Sequence, residues 1–145
     1  MSRLMSRRRV FLLSVAILAV VLAGCAGPAN QVKARLGREF SMAIGQTVAV
    51  EKEPLELKFL GVTGDSRCPK NVTCIQAGQV SATVEIKDSG APARITLTQT
   101  GLTDQSGTER FHNYELIFDV QPYPEAEKRI APEDYHLVLT LNKAK

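Results

Sequence analysis

Tryptophan is absent from this chain, histidine occurs twice and cysteine three times, and aromatic residues make up only 6% of the sequence. Those shortages exclude a good deal. His112 and His136 do not stand at metal-ligand spacing from each other or from a cysteine pair, so a zinc centre lacks its usual donors. There is no Gly-x-Ser-x-Gly elbow, no phosphate-binding glycine loop and no His-rich metal motif. Internal repeats, long low-complexity tracts and a sustained 3.6-residue apolar period are also missing. No Lys/Arg run of the kind that tracks a phosphate backbone occurs after residue 24, which argues against nucleic-acid binding.

The basic balance is an effect of the first residues. Of 18 Lys and Arg, four (Arg3, Arg7, Arg8 and Arg9) precede residue 25, leaving 14 basic against 15 acidic residues and a net charge of about −1 beyond it. Residues 1–9 are short and basic, Val10 to Val20 is almost uniformly apolar, and small residues follow at Ala23 and Gly24. This is the three-part layout of a secretory signal. The apolar run from Val10 to Ala23 spans roughly 21 Å as a helix, short of the ~30 Å hydrocarbon core of a bilayer.

Leu22-Ala23-Gly24-Cys25 resembles the lipobox of bacterial lipoproteins. The resemblance covers the first 25 residues. It implies cleavage between Gly24 and Cys25, diacylglycerol on the Cys25 thiol as the only covalent group, and stable anchoring by two or more acyl chains. In a Gram-negative host, Ala26 after the cysteine would favour the outer membrane, on its periplasmic face. Arg8-Arg9-Val10-Phe11-Leu12 resembles a twin-arginine export signal, whereas the strongly apolar run favours the Sec route; both stay open. Gly27 and Pro28 begin a stretch without sustained period, so residues 25–37 are expected to form a lipidated flexible tether after a signal peptide of residues 1–24.

Residues 38–145 read as strands. Val80, Ala82, Val84 and Ile86 alternate with polar residues, Asp88 to Pro92 carries turn chemistry, and Ala93, Ile95 and Leu97 resume the alternation. The same period of two runs through Leu55, Leu57 and Phe59, with Gly61 placed for a bulge. It recurs in Tyr114, Leu116, Phe118 and Val120, and in Tyr135, Leu137, Leu139 and Leu141; Phe40 to Ile44 and Val48 to Val50 make a weaker pair. The expectation is an all-β domain of about seven strands, a single antiparallel β-sandwich, immunoglobulin-like or a small barrel. Asp134-Tyr135 after Pro132 resembles a tyrosine corner, without the Trp and paired Cys of antibody-type domains. Residues 99–110 and 121–133 are expected to be long polar connections.

Once Cys25 is assigned to lipid, Cys68 and Cys74 form an even pair, expected to be a disulfide in an oxidising compartment. Five residues between them do not match the Cys-x-x-Cys spacing of a redox-active pair. Asp65-Ser66-Arg67-Cys68-Pro69, followed by Val72-x-Cys74-Ile75-x-Ala77-Gly78, resembles a signature of small bacterial lipoproteins and secreted domains; Gln76 stands where many relatives carry an aromatic. That resemblance marks a family and implies no activity. Asp65 can accept hydrogen bonds from turn amides or from Arg67.

The loop admits two readings. It is a stapled connection between strands, or a pre-ordered binding tip that presents Arg67, Lys70 and Asn71, with Asp65 ordering its base. Glu125, Glu127, Glu133 and Asp134 are read as a solvated acidic face rather than a calcium loop, and the sequon Asn71-Val72-Thr73 as a chance match. The functional expectation is a membrane-anchored envelope lipoprotein that is not an enzyme and binds an envelope protein partner or supports envelope assembly. The alternative is an inhibitor of an envelope-directed hydrolase, with the stapled loop inserted through Arg67 and Lys70.

Overall fold

The computed structural model describes residues 32–101 and 105–144. The expected signal peptide, its expected cleavage between Gly24 and Cys25, and the expected lipid attachment lie outside the described residues. Among the described residues nine strands form: β1 Val32–Ala34, β2 Glu39–Ala43, β3 Thr47–Val50, β4 Leu55–Asp65, β5 Gln79–Asp88, β6 Ala93–Thr100, β7 Gly107–Phe111, β8 Tyr114–Gln121 and β9 His136–Lys143. A 3-10 turn, Pro132–Asp134, precedes β9. One sheet has the order β1-β3-β4-β5-β6 and the other β2-β9-β8-β7. Every pairing is antiparallel except β1 with β3. The protein is an all-β sandwich of two open sheets, not a closed barrel.

The period-two residues are the core. Leu57 and Phe59 of β4, Val80, Ala82 and Val84 of β5, Leu116, Phe118 and Val120 of β8, and Leu137, Leu139 and Leu141 of β9 are buried between the sheets. Fully burying such a side chain stabilises the fold by about 1.5–3 kcal/mol, so this set supplies most of the driving force. The β5–β6 hairpin pairs in continuous register from Gln79↔Thr100 to Ile86↔Ala93. β4 carries register shifts between Phe59 and Gly61 and between Val62 and Gly64. Gly61, with φ +140°, takes up the first of these irregularities.

The two additional strands explain the count of nine instead of seven. β1 lies within the segment expected to be tether: Ala34 is buried and Val32↔Val48 to Ala34↔Val50 pair in parallel. Three residues are too few to show a period, so only the neighbouring β3 reveals this strand. The ordered domain therefore begins at least six residues earlier than residue 38. All of β7 but Phe111 lies within the expected polar connection 99–110, and its Thr108, Glu109 and Arg110 are all exposed. Its strand character comes from pairing with β8, and Gly107 gives way to the Phe118 ring, which a Cβ would meet at 2.3 Å. Gln99 and Thr100, assigned to the same connection, complete β6.

Candidate functional site

Two connections, 66–78 between β4 and β5 and 122–135 between β8 and β9, meet at one end of the sandwich, and Gly101 after β6 joins them there. Asp65 is the last residue of β4, and its carboxylate accepts four hydrogen bonds. Arg67 donates three of them, from its backbone N–H at 3.1 Å, Nε at 2.9 Å and Nη2 at 2.6 Å; the Tyr135 hydroxyl donates the fourth at 3.1 Å. The Arg67 side chain is wholly buried. Its fork continues across the sandwich, donating from Nη1 to the Val120 carbonyl at 2.6 Å and from Nη2 to the Pro122 carbonyl at 3.0 Å. One guanidinium thus ties the end of β4 to the end of β8 in the opposite sheet.

Burial pushes the Asp65 carboxyl pKa up. The hydrogen bonds from the Arg67 side chain and backbone, the Arg67 charge and the Tyr135 hydroxyl together outweigh it and hold Asp65 below its ordinary 3.8. Tyr135 is raised in turn, first by burial and then by the charge and hydrogen bond of Asp65. A tyrosine corner bonds backbone a few residues upstream, whereas Tyr135 reaches a side chain on β4. The ring of Tyr123 lies under the Arg67 guanidinium at 5.0 Å and under the Lys70 ammonium at 5.8 Å, and its hydroxyl donates to the Gly101 carbonyl.

Glycines let these backbones approach. Gly78 has φ +68°, and a Cβ there would sit 1.8 Å from the Ser66 carbonyl oxygen; one on Gly101 would sit 1.8 Å from that of Ala77. Backbone hydrogen bonds close the assembly, from Ser66 to Gln79, Cys68 to Ala77, Gly101 to Gly78 and Lys70 to Pro124. The Cys68–Cys74 disulfide is present, with Cα atoms 6.0 Å apart. Closing so short a loop contributes about 2.4 kcal/mol on the chain-entropy account.

The base of the loop is therefore locked, and its tip points outward. Lys70 and Asn71 are exposed, Asn71 in the left-handed region at φ +66°. Val72 is 47% exposed, and Ile75 has no cover at all. Beside the tip an open recess of about 510 Å³ is lined by Pro69, Pro124, Lys128, Arg129, Ile130 and Tyr135. The expectation that Arg67 is presented to a partner is corrected here: its side chain points into the protein, because two backbone carbonyls and Asp65 satisfy it there. Of the four loop residues singled out, Asp65 and Arg67 build the base, while Lys70 and Asn71 stand on the surface.

No protein-family model, no curated protein and no solved structure matches this chain.

The other candidates do not converge. His112 pairs with Asp88 at 3.2 Å beside the β7–β8 turn, and His136 lies at the start of β9 near the opposite end of the sandwich. Glu125 pairs with Lys128, whose hydrogen bond and charge hold it below the ordinary carboxylate value. Among the described residues no three His, Cys, Asp or Glu side chains come together as a metal cluster. Sequence reasoning passed over Tyr123, Gly101 and the outward Ile75. The available signal was two apolar residues, Val72 and Ile75, in a polar loop with no alternating partners.

Proposed function

We propose that this chain is a lipid-anchored envelope lipoprotein whose sandwich is a non-enzymatic binding module, with the exposed part of the 66–78 connection, residues 70–75, as its contact. The anchor rests on the lipobox-like Leu22-Ala23-Gly24-Cys25 after a basic and apolar leader. The binding role rests on one observation: Ile75 is fully exposed at the edge of a loop held by a buried ion pair, a disulfide and two close backbone approaches. That ordering stabilises the domain, and it also suits a contact surface, because a loop already held in place loses little conformational entropy when a partner docks. Isoleucine and valine at the tip supply apolar area, and Lys70 and Asn71 supply a polar rim.

The test uses the full chain in its own membranes, with a photo-crosslinking residue in place of exposed Gln76. A single stoichiometric adduct is expected, lost with Ile75→Asp and retained with Ile44→Asp, an exposed isoleucine between β2 and β3. Adducts unchanged by Ile75→Asp would overturn the assignment. If the crosslinked protein is a hydrolase whose activity the chain suppresses, the inhibitor reading follows, with Val72 and Ile75 as the inserted side chains in place of Arg67. Cys25→Ser should release the protein from the membrane; retention of a lipidated N-terminus in that variant would refute the anchor.

A further inference from the structure

Four strands stand at sheet edges: β1 and β6 in one sheet, β2 and β7 in the other. Exposed edges invite pairing with another chain unless they are short, charged, bulged or interrupted by proline. β1 has three residues and a lysine; β2 and β7 have five each, with Glu39 on one and Glu109-Arg110 on the other. β6 has one of these protections only, the charge of Arg94. It runs for eight residues without proline, in unbroken register with β5, and among the described residues nothing pairs with the outer side of its 93–98 stretch. Its single charge, Arg94, is held by Glu85 of β5 at 3.2 Å.

The composition of β6 suits a particular occupant. Thr96, Thr98 and Thr100 line its solvent face, while Ile95 and Leu97 face the core. Leu97 is fully buried, but Ile95 on the same face is only partly buried. A further strand would complete that cover if it brought an apolar residue opposite Ile95.

We propose that the outer edge of β6 is a self-association surface, on which a second copy of this chain pairs antiparallel through its own β6 about a two-fold axis at Thr96. The two five-stranded sheets then become one sheet of ten strands. This register sets Ile95 against Leu97 of the second copy on the core face, Thr96 against Thr96, and Arg94 against Thr98 on the outer face. No like charges meet, and threonine pairs are favourable cross-strand neighbours. An axis at Leu97 would instead set Ile95 against Gln99, whose amide is already engaged with Gln105, Asp119 and the Val120 N–H. Five paired residues, 94–98, give about five backbone hydrogen bonds with little buried area, so the dimer belongs to the small, reversible class of interface.

The experiment takes the full chain with Thr96→Cys and a short bismaleimide that links two nearby thiols. A dimer band is expected at several-fold the yield of Lys58→Cys, which places a thiol on the same exposed sheet face but inside the sheet, on β4. Adding Thr98→Lys sets a second positive charge opposite Arg94 and should reduce the dimer at least fivefold. Thr98→Glu at the same position sets an opposite charge there and should maintain or raise it, and Thr100→Lys, which faces no charge, should leave it unchanged. These threonines are all exposed, so the substitutions leave the core untouched, and resistance to protease confirms the fold. Thr96→Cys crosslinking no better than Lys58→Cys, or lysine and glutamate at position 98 acting alike, would overturn the proposal.

Discussion

Replacing Arg67 with methionine removes the tie between the sheets and leaves an Asp65 carboxylate buried without its cation. The Arg67 side chain makes two hydrogen bonds to that carboxylate and one each to the carbonyls of Val120 and Pro122. At about 1.5–3 kcal/mol for a hydrogen bond to a charged group, four would sum to roughly 6–12 kcal/mol. That sum overstates the loss, because water can reach the loop once it relaxes. Breaking a buried ion pair by removing one partner costs about 3–5 kcal/mol, and about 4 kcal/mol is the expectation at neutral pH. With a urea m-value of about 2 kcal/mol/M, the midpoint of unfolding falls by ~2 M.

The loss also has a pH signature. In the native protein the folded-state pKa of Asp65 is depressed, so its contribution is complete above the unfolded value of 3.8 and is lost as pH falls through the lower folded value. In Arg67→Met only burial and the Tyr135 hydroxyl remain, and burial raises the pKa. A proton then relieves the orphaned carboxylate, so the difference from the native protein shrinks as pH falls from 7 toward 4. Asp65→Asn combined with Arg67→Met should be less damaging than the two single changes added together, by about 1–3 kcal/mol. A destabilisation below about 1 kcal/mol, or one that does not change with pH, would refute the account of this pair.

Gly78→Ala places a Cβ against the Ser66 carbonyl in a left-handed conformation and should cost about 3 kcal/mol in urea unfolding, whereas Gly90→Ala, with ordinary contact distance and no positive φ, should be nearly neutral. At the other end of the sandwich the Tyr114 hydroxyl donates to Glu53 at 2.7 Å, and burial, followed by that hydrogen bond and charge, pushes its pKa up to about 12. Ultraviolet titration should show one tyrosine ionising last, and Glu53→Gln should bring it part of the way toward 10 while burial keeps it above that value.

The amino-acid sequence by itself determined the sandwich strands with period two, because alternation of apolar and polar residues is a local property that any two-layer β fold must satisfy. Val80 to Ile86, Leu116 to Val120 and Leu137 to Leu141 face the core where that alternation places them. It also pointed to the partner of Cys68, since reading Cys25 as the lipid-bearing cysteine leaves Cys74, and the two are bonded. Only the tertiary structure decided that Val32–Ala34 and Gly107–Phe111 are strands, because their pairing partners, not their own residues, hold them extended. The direction of Arg67 was decided the same way. An arginine in a polar loop has the same neighbours in sequence whether it faces water or the interior. What turned it inward are carbonyls 53 and 55 residues away, at Val120 and Pro122, which the fold alone brings within reach.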